Sequence, residues 1–240
     1  MRQHVNLIAE VSSNAGGSVL RAVQFIDAFA VAGADIVKFQ LTRVAHLSRF
    51  DPQYEWFQHA EWRHDQIAPL VAACEARSVV PMFTVNHPDD VWEVKHLPYV
   101  KVGCGEAHSG KLAEAVLARP FQRVFVSEGI RPAHARYLAD PRVTILGVCP
   151  YYPAPRGVVG LRWACGRYQG WSDHSIGLEE SQLAVILGAT VIERHVQIPI
   201  QARPPQPYEL TVEEFAELRQ RIDQDPERFL GRWGHVQVVT

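Results

Sequence analysis

Short apolar runs rich in β-branched residues alternate along this chain with longer segments in which apolar residues recur every three or four positions. The first pattern is typical of β-strands and the second of amphipathic helices. The predicted strands are Val5–Val11, Ala34–Gln40, Val79–Thr84, Tyr99–Val102, Arg123–Ser127, Val143–Val148, Gly170–His174 and Thr190–Val196. The predicted helices are Ser18–Ala32, Glu61–Arg77, Glu179–Leu187 and Val212–Ile222, with shorter helices expected after the third to sixth strands.

Eight strands alternating with about eight helices predict an α/β fold, the (β/α)8 TIM barrel. The 240 residues suit one such barrel, so we expect a single domain over residues 1–240. A doubly wound open sheet is the alternative, but it would usually carry a glycine-rich phosphate turn after its first strand. The segment Ala15–Ser18 lacks that spacing and is predicted to be a loop. Two long connections, at about 41–60 and 199–208, are either substrate lids or structural loops.

Composition narrows the class of protein. Hydrophobic residues make up 47% and charged residues 21%, as in ordinary globular proteins. The net charge of −2 lacks the positive excess typical of proteins that bind nucleic acid. No apolar run is long enough to span a bilayer. The N-terminus lacks the apolar stretch of a signal peptide, so we expect a cytoplasmic protein without a membrane partner. The four cysteines are scattered and are expected to be reduced thiols.

Polar residues suited to catalysis recur at the carboxyl ends of the predicted strands, and a barrel would bring them to one mouth. They are Glu10, Lys38, Gln40, Thr84, Lys101, Glu106, Ser127, Tyr152, Ser172, His174, Glu193 and His195. Lys38 lies in an otherwise apolar strand, and an ammonium group buried there requires an anion. That anion is either Glu10, in a structural role, or a bound phosphate or carboxylate. Asp173 alternates away from His174 and is expected to brace a neighbouring strand or the backbone.

Two histidines, twenty-one residues apart, end the last two predicted strands. His174 lies in Trp171–Gly177 and His195 ends Val191–His195. Two imidazoles at the same end of adjacent parallel strands form a ready site for a divalent metal. The alternative is two unrelated histidines, one in the core and one on the surface.

Six segments, in order and at matching spacings, resemble the sialic acid synthase (N-acetylneuraminate synthase) family. They are Ile8–Glu10, Gly33–Gln40, Lys101–Glu106, Tyr152–Pro155, Trp171–Gly177 and Gly188–His195. The resemblance extends over about residues 5–222. It implies a TIM-barrel transferase that condenses phosphoenolpyruvate with an amino-sugar aldehyde, such as N-acetylmannosamine. The products would be a sialic-acid-like 2-keto acid and phosphate.

The resemblance also implies roles for individual residues. His174 and His195 would hold a divalent metal, expected to be Mn²⁺ with Mg²⁺, Co²⁺ or Zn²⁺ as alternatives, which polarises the aldehyde. Glu10, Glu106 and Lys38 would be catalytic, with Glu106 the expected acid or base. Phosphoenolpyruvate and the sugar would be bound by Gln40, Thr84, Lys101, Ser127, Tyr152 and Ser172.

The chain departs from the family mainly on the sugar side of the implied site. Ala15, Pro150 and Pro205 stand where the family usually has polar side chains, and Cys104 stands where it has serine. The family's C-terminal antifreeze-like domain is expected to be absent. Two alternatives to the synthase therefore stay open. One is a divergent metal-dependent lyase or aldolase on the same barrel. The other is a non-catalytic or partner-dependent relative, in which a homodimer or a separate partner chain completes the sugar site.

Overall fold

Eight parallel strands close into a barrel in which each strand pairs with its neighbours in chain order. The structure is a computed structural model that describes residues 3–129 and 131–224. The strands are β1 (Asn6–Ser12), β2 (Ile36–Leu41), β3 (Val80–Val85), β4 (Tyr99–Val102), β5 (Arg123–Glu128), β6 (Val143–Val148), β7 (Gly170–Asp173) and β8 (Val191–His195). The TIM barrel and all eight predicted strands are confirmed, with strand ends within two residues of those expected. The expected domain range of 1–240 extends beyond the described residues at both ends.

Helices surround this barrel. They are α1 (Val19–Val31), α2 (Tyr54–Ala60), α3 (His64–Ala76), α4 (Val91–Val94), α5 (Gly110–Leu117), α6 (Ala135–Ala139), α7 (Val158–Cys165), α8 (Glu179–Ile186) and α9 (Val212–Gln224). The connection at 41–60 is more ordered than its sequence indicates, because it contains α2 and a 3-10 turn at Val44–His46. Within the described ranges, no helix combines the length and the apolar character that crossing a membrane requires.

Helix α1 illustrates how the sequence determines where a helix begins and ends and which face it buries. The Ser18 side chain caps its first turn by accepting from the backbone N–H of Arg21. Gly33 ends it with a φ of 90°, a left-handed conformation that glycine adopts without strain. Four apolar side chains one helical turn apart are buried against the barrel, namely Ala22, Phe25, Ile26 and Phe29.

The interior of the barrel has an apolar layer below a polar layer. The apolar layer is a buried plug formed by Ile8, Ile36, Met82, Phe125, Leu146 and Val191. Successive side chains of a strand point to opposite faces, so the residue two positions later returns to the interior. Five polar residues each lie two positions after a member of the plug, namely Glu10, Lys38, Thr84, Ser127 and Glu193. The strand period therefore places buried polar groups directly above an apolar floor, at the carboxyl end of the barrel.

Candidate active site

A cavity of about 270 Å³ opens above the apolar plug at the carboxyl ends of the strands. Every residue predicted for the site lines it, namely Glu10, Lys38, Gln40, Thr84, Lys101, Glu106, Ser127, Tyr152, Ser172, His174 and His195. The strand register brings them together, since Glu10 is paired with Lys38 on one side and with His195 on the other. Because most of these side chains are carried by strands, the barrel itself holds their relative positions.

Two lysines and two glutamates, all buried, form a charge network at the cavity floor. Lys101 Nζ donates to both carboxylate oxygens of Glu193, at 3.0 and 2.8 Å. Lys38 Nζ contacts the Glu10 carboxylate and lies 3.6 Å from Glu193 Oε2. Burial alone would raise the pKa of Glu193, but the ammonium groups of Lys101 and Lys38 overcome that effect and hold the pKa below its ordinary value. Glu193 is therefore ionised and links the two lysines.

Glu193 is one of the polar residues that the sequence places at the mouth of the barrel, although no role in the site is predicted for it, and it lines the cavity. Ser172 Oγ donates to its Oε1 at 2.8 Å, so Glu193 contacts three residues that were expected there. Its position two residues before His195, on the same strand face, was the available indication. Three other lining residues, Gly103, Cys104 and Gly105, belong to the segment Lys101–Glu106 that resembles the family. The lining residues that no motif indicates are Ser12, Asn86 and Val148.

The Lys38 side of the network retains unused hydrogen-bonding capacity. Burial lowers the pKa of Lys38 to about 7, although Glu193 opposes this shift. Lys38 Nζ donates to Thr84 Oγ1 at 2.8 Å. Apart from the contact with Lys38, the buried Glu10 carboxylate accepts no hydrogen bond within the described residues, and the buried Ser127 hydroxyl likewise has no partner there. The structural alternative for Lys38, pairing with Glu10, is thus realised, while Glu10 and Ser127 still have groups available to a ligand.

The two histidines lie side by side, with ring centroids 5.2 Å apart. His174 Nδ1 donates to the Cys149 carbonyl at 3.0 Å, which leaves the Nε2 lone pair free to bind a ligand. Burial lowers the pKa of His174 to about 4 and holds that of His195 well below its ordinary value. His195 Nδ1 is buried and has no hydrogen-bond partner in the described part of the chain. Neutral imidazoles with an available nitrogen fit a divalent transition-metal ion.

Two tyrosines form a wall beside the histidines. The Tyr152 ring is stacked on His174 with centroids 4.0 Å apart, and it meets the Tyr208 ring at 5.2 Å. Tyr208 also meets His195 edge-on at 5.5 Å. Because Tyr208 ends the predicted connection at 199–208, this connection packs against the wall of the cavity.

A buried ion pair lies behind the histidines and joins their strands. Arg194 Nη1 donates to Asp173 Oδ2 at 2.5 Å, and both side chains are almost completely inaccessible to solvent. The same carboxylate oxygen accepts from Ser181 Oγ, and Arg194 also donates to the carbonyls of Ser175 and Tyr208. The expectation that Asp173 braces a neighbouring strand is confirmed. The pair anchors the residues that immediately precede His174 and His195.

A second polar network ties the loop after β1 to the connection after β8. Asn14 Nδ2 donates to Glu209 Oε1 at 3.0 Å and to the Val196 carbonyl at 2.9 Å. Arg203 donates to Asn14 Oδ1 and to Glu209 Oε1. This network holds the segments that contain Ala15 and Pro205, where the chain departs from the family pattern.

The chain is similar to known proteins over most of its length. Residues 25–233 match the model of the NeuB family. The chain is 28% identical to the spore coat polysaccharide biosynthesis protein SpsE of Bacillus subtilis strain 168, over 81% of this chain and 60% of that protein. It is 27% identical to the human N-acetylneuraminate-9-phosphate synthase, over 80% of this chain and 62% of that protein. The chain thus spans about three fifths of the length of these relatives.

Among solved structures, the fold is similar to that of the N-acetylneuraminic acid synthetase from Leptospira borgpetersenii serovar Hardjo-bovis, crystallised with citrate. The TM-score is 0.80 at 22% identity, and the alignment covers 99% of this chain and 87% of that chain. At this level of identity the likeness supports the shared barrel alone, so the chemistry has to be argued from the cavity.

Proposed function

The chain belongs to the NeuB family, and we propose that it condenses phosphoenolpyruvate with an amino-sugar aldehyde, giving a sialic-acid-like 2-keto acid and phosphate. The observation that carries this proposal is a single cavity in which two buried lysines lie close to two neutral imidazoles. The ammonium groups suit a phosphate and a carboxylate, and the imidazoles suit a metal ion that activates a carbonyl group. The activity named for the human relative supports the same chemistry.

Charge balance in the cavity favours a bound cation. Lys38 and Lys101 face three carboxylates, those of Glu10, Glu106 and Glu193, while both imidazoles are neutral. The lining therefore carries at least one more carboxylate than ammonium groups, because Lys38, with a pKa of about 7, is only partly protonated at neutral pH. An anionic substrate would add to that excess. We assign the cation site to His174 and His195, with Mn²⁺ as the proposed ion. When bound there, the ion supplies Lewis-acid polarisation of the aldehyde.

The anion side of the cavity is assigned to the lysines and the hydroxyl groups around them. Lys38, Lys101, Thr84, Ser127 and Ser172 line this part, and the unpartnered Ser127 hydroxyl is available to donate to a phosphate or carboxylate oxygen. The lysine charges stabilise the leaving phosphate, because charge-assisted hydrogen bonds are stronger in a site that excludes water.

The remaining residues are assigned to the acceptor and to proton transfer. Carbon 3 of phosphoenolpyruvate forms a bond to the aldehyde carbon, water adds at carbon 2, and the C–O bond to phosphate breaks. Glu10 and Glu106 are the carboxylates proposed to move the protons that the aldehyde oxygen gains and the water loses. Gln40 and Tyr152, at the edge of the cavity, are proposed to contact the sugar.

The test is release of phosphate from phosphoenolpyruvate, with Mn²⁺ and a panel of amino-sugar aldehydes that includes N-acetylmannosamine. We expect release that depends on the acceptor, together with a 2-keto acid identified by mass spectrometry. Phosphate release without an acceptor, or cleavage of an added 2-keto acid without its formation, would favour the lyase alternative. Inactivity with every acceptor would contradict the proposal.

Replacing Lys38 by methionine is expected to weaken phosphoenolpyruvate binding by about 1.5–3 kcal/mol, or about 10–150-fold in Kd. The ammonium group is removed while the length and apolar stem of the side chain are kept, so the loss reports the charge-assisted hydrogen bond. Calorimetric titration without acceptor measures the change. The matched control is Lys95→Met, since Lys95 lies over the exposed Trp92 ring outside the cavity. Equal affinities of the two variants would refute the role of Lys38.

A further inference from the structure

A group of three potential metal ligands lies outside the cavity, in the loops that follow β2 and β3. It consists of His46, His87 and Asp89, whose ligand atoms all lie within 4.8 Å of one another. We propose that this loop cluster binds a borderline divalent cation of the zinc class. The proposed ion is separate from the one assigned to His174 and His195 and would join the two loops.

The geometry of the loop cluster is close to that of a ligand set. The two imidazole rings have centroids 3.8 Å apart, and His87 Nδ1 lies 3.3 Å from Asp89 Oδ2. Tetrahedral ligands at about 2.1 Å from an ion are about 3.4 Å from one another. The His87 and Asp89 side chains are 41% and 79% exposed, so solvent surrounds much of each, while His87 Nδ1 accepts from the backbone N–H of Asp89 at 3.3 Å.

A buried carboxylate lies behind one of the imidazoles. Asp90 is only 2% exposed, and its Oδ1 lies 4.0 Å from His46 Nδ1. The backbone N–H groups of Asn86 and His87 donate to Asp90 Oδ2 at 3.3 and 3.0 Å, which fixes the orientation of the carboxylate. A metal-bound histidine usually donates its second ring N–H to such a group. Asp90 would become that outer partner once His46 Nδ1 moves from 4.0 Å into hydrogen-bonding distance, which would leave His46 Nε2 for the ion.

The surrounding charges favour a cation. Arg43 donates to Glu61 and Glu93, and its Nε lies 4.0 Å from Asp90 Oδ1. One guanidinium group thus faces three carboxylates, and Asp89, a member of the loop cluster, adds a further negative charge. Two imidazoles with one carboxylate suit Zn²⁺, Co²⁺ or Ni²⁺, whereas Mg²⁺ and Ca²⁺ prefer sites built of oxygen ligands.

The loop cluster is connected to the wall of the cavity. Asn86 immediately precedes His87 and lines the cavity, and its side chain donates to the Leu41 carbonyl at the end of β2. The loops that the ion would join are therefore already linked at this point. A bound cation would hold Asn86 against the cavity mouth.

The test is a titration of the metal-free full chain with Co²⁺, followed by calorimetry and by the visible absorption bands of the bound ion. The titrated protein carries His174→Ala and His195→Ala, which remove the cavity pair. We expect this protein to bind one equivalent of Co²⁺. Adding His46→Ala and His87→Ala should weaken Co²⁺ binding by more than about 100-fold, because losing only a residue that hydrogen-bonds to a metal ligand already costs about 10–100-fold. His96→Ala, which changes an exposed histidine elsewhere, is the matched control and should bind as its parent does.

Two results would overturn the proposal. One is failure of the His174→Ala/His195→Ala protein to bind Co²⁺. The other is Co²⁺ binding that is unaffected by the changes at His46 and His87. The same two loop changes, made in the otherwise unaltered protein, should lower the Co²⁺ stoichiometry by one equivalent. This second measurement keeps the test valid if the cavity variants fold poorly.

Discussion

Replacing Asp173 by asparagine is expected to lower the free energy of unfolding by about 3–5 kcal/mol, the cost of leaving a buried charge without its partner. Asparagine preserves the size and shape of the side chain but carries no charge. Arg194 is completely buried, and its other partners within the described residues are carbonyl and hydroxyl groups. The guanidinium group would therefore stay charged without a counter-ion, because arginine does not lose its proton in a folded protein.

Urea unfolding followed by circular dichroism measures this loss as a lower midpoint. The matched control is Asp140→Asn, which breaks the partly exposed pair of Asp140 and Arg142 and should cost less than about 1 kcal/mol. Changing both buried partners, as Asp173→Leu with Arg194→Met, should recover much of the stability, because no charge is left behind. Equal stabilities of Asp173→Asn and Asp140→Asn would show that the ion pair does not stabilise the barrel.

The alternation of side chains along the strands explains why most of the site was predictable. Each strand of a barrel places every second residue inside, so a polar residue at the end of an apolar run has to face the carboxyl mouth. Glu10, Lys38, Thr84 and Ser127 follow this rule and line the cavity, as expected. The same rule includes Glu193, whose carboxylate is contacted by two lysines and a serine of the protein.

Other features depend on contacts that strand periodicity does not encode. Helix α2 is seven residues long and carries three aromatic residues, so its sequence reads as a loop. The loop cluster combines His46 with His87 and Asp89, which come from separate loops and belong to no motif. Lys101 taken alone reads as a surface residue, yet it is only 2% exposed because Glu193 is placed opposite it across the barrel. The loop cluster and the burial of Lys101 both arise from residues that are distant in sequence and close in space.

Replacing His195 by alanine is expected to weaken Mn²⁺ binding in the cavity by more than about 100-fold. This exceeds the effect of removing a residue that only hydrogen-bonds to a metal ligand. The His174–His195 pair supplies the imidazole nitrogens of the proposed site, so the change removes one of the two. The barrel should remain folded, because His195 is only partly buried and its Nδ1 forms no hydrogen bond with the described residues. The proposed synthase activity should be lost together with the bound ion. Electron paramagnetic resonance of free Mn²⁺, with circular dichroism of the same samples, measures binding and folding.

His46→Ala is the matched control for this experiment, because it removes an imidazole from the loop cluster and leaves the cavity intact. Mn²⁺ binds nitrogen ligands more weakly than the later first-row ions and accepts oxygen ligands readily, so the loop cluster should contribute little to its binding. We therefore expect His46→Ala to bind Mn²⁺ as the unaltered protein does, while His195→Ala does not. Stoichiometric Mn²⁺ retained by a folded His195→Ala protein would show that the cavity holds the ion through other groups. The carboxylates of Glu10 and Glu106 would then be the next ligands to test, since both line the same cavity.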